Sequence, residues 1–139
     1  MVAYLDSSLV LRYILSGDIS FRHAAAFPRM ISSELLEIEC RRVLHRCRMA
    51  GELTDETLLA ASDRLEEVLA GTDLLELSSP IKKRAMESFP SSIKTLDALH
   101  LSTALVFLSF ETEEGLSFFS FDRGMNICAR SLGFAAPLL

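Results

Sequence analysis

VAYLDSSLVL, residues 2–11, sets a single carboxylate inside an otherwise apolar opening and follows it with two serines. An unpaired carboxylate is expensive to bury, so an Asp that ends an apolar run either caps the next helix or binds something. Val2 to Leu5 is short and apolar, as a buried strand is, and Ser7 or Ser8 stands where it can cap a helix running to about Leu15. A strand that passes straight into a helix is the first half of a βαβ unit, and the remaining sequence repeats the pattern.

SGDIS (16–20) interrupts the first helix, a short helix is expected over residues 22–27, and RMIS (29–32) is a second strand. Ser33 caps a long helix from Glu34 to about Ala50 that Gly51 ends, and TDET (54–57) opens another at Thr54 that Gly71 closes. LLEL (74–77) is expected as a third strand, and Pro80 starts a helix that stops before Pro90. Thr95 caps a helix through Leu108, LSFFSF (116–121) is a fourth strand, Asp122 caps a helix ending at Gly133, and FAAPLL (134–139) is expected as a final edge strand. Such alternation implies right-handed crossovers and an α/β fold, a mainly parallel sheet covered by helices on both faces.

Length and composition are consistent with that architecture. One domain over residues 1–139 is expected, long enough to close a core without disulfides or structural metals. Half of the residues are apolar and 24% are charged, with a mean hydropathy of +0.30. The apolar surplus points to a surface reserved for a partner or a second copy, Leu9, Tyr13, Leu58 and Leu59 being candidates that plain core packing would also explain. Cys40, Cys47 and Cys128 form no CxxC pair, and the odd count reads as reduced thiols in a cytoplasmic protein. The opening run is broken by Asp6 and Arg12 and lacks a basic lead, unlike a signal peptide. Residues 96–110 carry Asp97 and His100 and fall short of the ~20 residues a membrane span needs, so no membrane association is expected. The net charge of −5 excludes a simple basic nucleic-acid binder, though not an enzyme that handles phosphates through bound cations.

In open parallel sheets ligands sit beyond the carboxyl ends of the strands. Asp6 ends the first strand and Asp122 follows the fourth, each with helix capping as its competing role. At ~100° per residue, Leu35, Leu36, Glu39, Val43 and Cys47 share one stripe of the long helix, which sets Glu39 within an apolar face. A salt bridge from Glu39 to Arg42 or Arg46 is the alternative. Asp97 aligns with Leu101, Ala104 and Leu108 and therefore projects inward from a first helical turn. Four carboxylates in one cleft repel each other unless a cation compensates, and an all-oxygen donor set without an HExxH pair fits Mg²⁺ or Mn²⁺ rather than zinc. His100 stands three residues from Asp97 and is read as packed beside the helix or bonded to backbone rather than as a ligand.

With these residues in place, YLDSSLVLRYIL, ISSELLEIECRRVL, KTLDALHLSTAL and FFSFDRGMNICARSLGF resemble the successive motifs of PIN-domain ribonucleases. The resemblance is nearest to the VapC-type toxins of toxin–antitoxin pairs and runs from Val2 to about Ala136. It implies a three-layer α/β/α sandwich and metal-assisted hydrolysis of RNA that leaves a 5′-phosphate. By the same resemblance Asp6, Glu39, Asp97 and Asp122 are the metal-binding and catalytic acids, and Ser120 orients a ligand carboxylate or a water. Arg12, Arg41, Arg42, Arg46 and Arg123 are candidates for guiding the RNA backbone. The family also implies a homodimer and a VapB-type antitoxin partner. A non-catalytic RNA- or protein-binding module of the same fold is the alternative. A haloacid-dehalogenase-like phosphatase would need a second Asp where Ser8 stands, and a receiver domain needs its phosphorylated Asp after a middle strand, with paired acids that are missing near Asp6.

Overall fold

The computed structural model describes residues 1–111 and 115–139. Among them, strands β1 (Val2–Leu5), β2 (Arg29–Ser33), β3 (Thr72–Leu75) and β4 (Leu116–Phe119) form one sheet in the order β3-β2-β1-β4, every pair parallel. Helices α1 (Ser7–Ser16), α2 (Phe21–Ala25), α3 (Leu35–Met49) and α4 (Asp55–Ala70) occur between β1 and β3. Helices α5 (Ser79–Ala85), α6 (Thr95–Phe110) and α7 (Arg123–Ser131) come after β3.

Alternation along β1 distributes the two cores. Ala3 and Leu5 pack with residues of α1–α4 such as Leu9, Ile14, Leu36 and Leu65, whereas Val2 and Tyr4 pack with Leu101, Ala104, Met125 and Cys128 of α6 and α7. Because both faces are covered, β1 and β4 are buried along their whole length, as parallel strands between helical layers are. The result is a three-layer α/β/α sandwich. Gly17 ends α1 in the left-handed region at φ 70°, its N–H bonded to Tyr13 O at 2.8 Å, a C-terminal geometry that favours glycine. Thr54 and Thr57 cap α4 reciprocally, as the TDET signal predicts. No helix among the described residues is long and apolar enough to cross a membrane.

Several boundaries differ from the sequence reading, each for a local reason. The third strand lies two residues earlier than LLEL: β2 pairs Met30 with Thr72 through Ser33 with Leu75, and the Leu77 N–H bonds the Glu34 side chain instead of a ladder. β4 stops at Phe119 because the last rung, from Asp6 N to Phe119 O, is followed by side-chain contacts that turn the chain away. FAAPLL contributes only an isolated bridge between Ala135 and Ser117, and Pro137 has no N–H with which to extend it. The short second helix covers Phe21–Ala25 rather than 22–27. Neither Ser7 nor Ser8 caps α1, because Asp6 takes that position without a side-chain cap bond. Lys94 rather than Thr95 occupies the cap position of α6, also without such a bond, and α6 runs on to Phe110. Ser33 Oγ does accept from Leu35 N, at 3.1 Å. The fully buried stripe of α3 is Leu36, Cys40 and Leu44, displaced from the expected one, which leaves Glu39 half-buried at its edge.

Candidate active site

The strand order places the winding reversal at β1 and β4. From β1 the chain steps outward to β2 and β3, then returns to β4 on the other side of β1, so a crevice opens where the carboxyl ends of β1 and β4 meet. Asp6 follows β1 directly and is only 4% exposed. Ser120 follows β4, fully buried, and Asp122 lies two residues further on, exposed.

Hydroxyl groups fix the first acid. Ser8 Oγ donates to Asp6 Oδ2 at 2.7 Å and Ser120 Oγ donates to the same oxygen at 2.8 Å. These hydroxyls also accept from backbone: Phe121 N donates to Ser8 Oγ and Asp122 N to Ser120 Oγ, both at 2.9 Å. One side of the Asp6 carboxylate is thereby saturated, and Oδ1 has no hydrogen-bond partner among the described residues. Asn126, one turn into α7, donates from Nδ2 to Ser120 O at 2.9 Å and holds the turn after β4 in place. Asp122 keeps the capping role expected of it, its Oδ1 accepting from Met125 N at 2.9 Å.

Glu39 enters from α3 along a different route. Its Oε1 accepts from His100 Nε2 at 2.6 Å and its Oε2 from Ser7 Oγ at 3.1 Å, and no bond to Arg42 or Arg46 forms. His100 is buried and its Nδ1 meets the Tyr4 hydroxyl at 2.7 Å. Since a carboxylate only accepts, the Nε2 proton belongs to the Glu39 bond, and in the neutral ring Nδ1 then accepts from Tyr4. Burial opposes charge on His100, but the Glu39 hydrogen bond, with Asp6, Glu39 and Asp97 nearby, outweighs it and holds the imidazole above its ordinary range. The reading of His100 as packed beside the helix or bonded to backbone is corrected here, because it pairs with one of the four acids.

Asp97, half-buried in the first turn of α6, lines a depression of about 300 Å³ with Asp122, Lys94, Gly124 and Met125. Burial, then the charges of Asp6 and Asp122, hold its carboxyl above the usual carboxylate range. Cys40, behind the cluster, is pushed up to about 12 by burial and then by Glu39 and Asp6. Burial is the larger cause of both shifts, and the acids add to it in the direction that a bound cation relieves.

The fold therefore brings Asp6 and Ser120 into contact, sets Asp97 beside Asp122 along one depression, and links Glu39 through His100 to Tyr4 of β1. Among the described residues no three His, Cys, Asp or Glu side chains converge as a metal cage. Mg²⁺ is commonly held by one or two carboxylates with waters completing its shell, so the all-oxygen set fits such an ion. Sequence reasoning passed over Tyr4, Ser7, Ser8 and Asn126 as members of the site. The hydroxyl two residues after Asp6 was a usable signal, whereas Tyr4 and His100 lie 96 residues apart and only the packing of α6 on β1 joins them.

None of the curated proteins compared with the chain matches it. A family model described as PIN domain matches residues 3–130, nearly the full length, and PIN domains are generally nucleases. This chain belongs to the PIN-domain family.

Proposed function

We infer that the protein is a Mg²⁺- or Mn²⁺-dependent endoribonuclease, the toxin of a VapBC-type pair. The observation that supports this most is that Asp6 and Asp122 follow β1 and β4 while Asp97, in the first turn of α6, lines one depression with Asp122, its carboxyl held above its ordinary range by burial and then by Asp6 and Asp122. Asp6, Asp97 and Asp122 would hold the ion. Glu39, whose two oxygens are already engaged by His100 and Ser7, would act at its edge, through water. Bound there, the ion supplies positive charge to the phosphate and lowers the pKa of the attacking water.

The chain's own residues provide orientation. Ser8 and Ser120 fix Asp6 through Oδ2 and leave Oδ1 for a ligand. His100 donates to Glu39 and holds that carboxylate in place beside the crevice. Water attacks phosphorus opposite the leaving 3′-oxygen, the P–O3′ bond breaks, and the downstream product keeps the phosphate on its 5′ end. A VapB-type antitoxin, a homodimer and a cytoplasmic location belong to the same proposal. Exposed apolar side chains such as Leu59, Met86 and Phe110 are compatible with partner surfaces.

The test is incubation of purified protein with cellular RNA in Mn²⁺, Mg²⁺ or EDTA, alongside Asp6→Asn and Asp97→Asn. Discrete metal-dependent cuts bearing 5′-phosphates, lost in both variants, support the nuclease. RNA that is bound but uncut in every condition favours the second reading, a non-catalytic binding module, for which the lack of a three-residue cage among the described residues is the supporting observation.

A further inference from the structure

We propose that the groove between α1, α3 and the first turn of α6 seats a nucleotide of single-stranded RNA next to the cleaved bond, with Arg42 and Arg46 gripping the backbone phosphate. The inference rests on the nuclease reading and names a substrate subsite within it. Helix α3 carries four arginines over Leu35–Met49, and they divide into two pairs. Arg41 bonds Glu37 at 2.7 Å and Glu66 at 2.6 Å, and Arg48 bonds Asp55, so these two are neutralised against α4 and its flank. Arg42 and Arg46 are exposed and make no ion pair among the described residues, although the chain has 19 acidic residues to 14 basic ones. Four residues apart, they stand about 6 Å from each other along one face of the helix.

Both arginines line a depression of about 300 Å³ with Leu35, Ile38, Val43 and Leu96, and the same depression includes Glu39 and Ser7. It thus reaches Glu39, at the edge of the acid cluster. The first turn of α6 separates it from the second depression, with Leu96 lining one and Asp97 the other. Ile38 is 58% exposed and Leu96 46%, so apolar surface lies open beside two unpaired cations. A nucleotide has this dual chemistry, a flat base to cover aliphatic side chains and an anionic phosphate to meet guanidinium groups. The Ser7 hydroxyl is committed to Glu39, so little remains to read base edges, and the subsite accepts any base while responding strongly to salt.

The experiment measures binding of a labelled, mixed-sequence single-stranded oligoribonucleotide to the full chain in EDTA across a salt series. Arg42→Gln/Arg46→Gln is compared with Arg41→Gln/Arg48→Gln, and circular dichroism checks that each is folded. The first pair weakens binding more than about tenfold and lowers the slope of log affinity against log salt by about 1.4, two phosphate contacts on a single strand, whereas the second stays near wild type. Unchanged affinity and slope in the first pair, an equal loss in both pairs, or no RNA binding by wild type overturns the proposal. So does an acidic, leucine-containing peptide that outcompetes RNA and needs the same two arginines, which assigns the groove to a protein segment. Cleavage in Mn²⁺ is measured in parallel. Wild type that binds through these arginines but never cuts refutes the nuclease reading alone, and wild type that cuts while the first pair binds normally refutes the subsite alone.

Discussion

Ser120→Ala tests whether the site is held together as its hydrogen bonds indicate. Ser120 is fully buried, and its single oxygen donates to Asp6 at 2.8 Å and accepts from Asp122 N at 2.9 Å. Loss of a bond to a charged acceptor costs about 1.5–3 kcal/mol, and the part-buried Asp122 N–H, left without its partner, adds less than the about 1–3 kcal/mol of a fully buried one. Ser8 still donates to the same Asp6 oxygen and softens the first loss, so the net destabilisation is about 2–4 kcal/mol. In a chain of 139 residues this lowers the melting temperature by about 6–15 °C, a large share of an ordinary folding stability. Thermal unfolding monitored by circular dichroism in EDTA is the assay, because bound metal would add its own stabilisation. Ser131→Ala is the control: its hydroxyl bonds only Ile127 O on an exposed surface, and the expected change is within about 0.5 kcal/mol. Matching melting temperatures for Ser120→Ala and Ser131→Ala would refute the argument that Ser120 clamps Asp6 to the turn after β4.

Asp97→Asn removes a carboxylate crowded by Asp6 and Asp122, so in EDTA the variant melts higher than wild type while cleavage in Mn²⁺ falls more than about 100-fold. A variant that is both less stable and fully active contradicts both expectations. His100 makes stability depend on pH, because its native pKa is raised by its acidic partners. The contribution is fully present below the unfolded value near 6.5 and is lost as pH rises through the raised native value. Urea unfolding of the metal-free protein is therefore expected to show falling stability over that interval, with a shallower fall in His100→Gln.

Much of this architecture is legible in the sequence because its signals are local. Gly17, Gly51 and Gly71 punctuate the helices, Thr54 and Asp122 cap, and the apolar run at β1 sits between two cores. Strand ends were less legible because pairing decides them: Leu77 has the composition of a strand, but its N–H is taken by Glu34, and Ser120 leaves the sheet because side chains claim its neighbours. Asp6, Asp97 and Asp122 were legible as candidates because Asp6 and Asp122 follow strands and Asp97 opens a helix. The partners of Glu39 were not. Arg42 and Arg46 stand nearer in sequence, yet Glu39 turns to His100 of α6, 61 residues away. Leu9, a candidate for a partner surface, is wholly buried between α1 and the sheet, the plain-packing alternative.

The central claim, that these carboxylates form one divalent-cation site, is tested most directly by titrating Mn²⁺ into the metal-free protein and measuring free ion by electron paramagnetic resonance. Wild type is expected to bind, Asp6→Asn and Asp97→Asn to weaken binding more than about tenfold, and Glu56→Gln, an exposed acid in the first turn of α4 that lines neither depression, to leave it unchanged. Equal Mn²⁺ affinity in all four proteins, or none in wild type, would contradict the account.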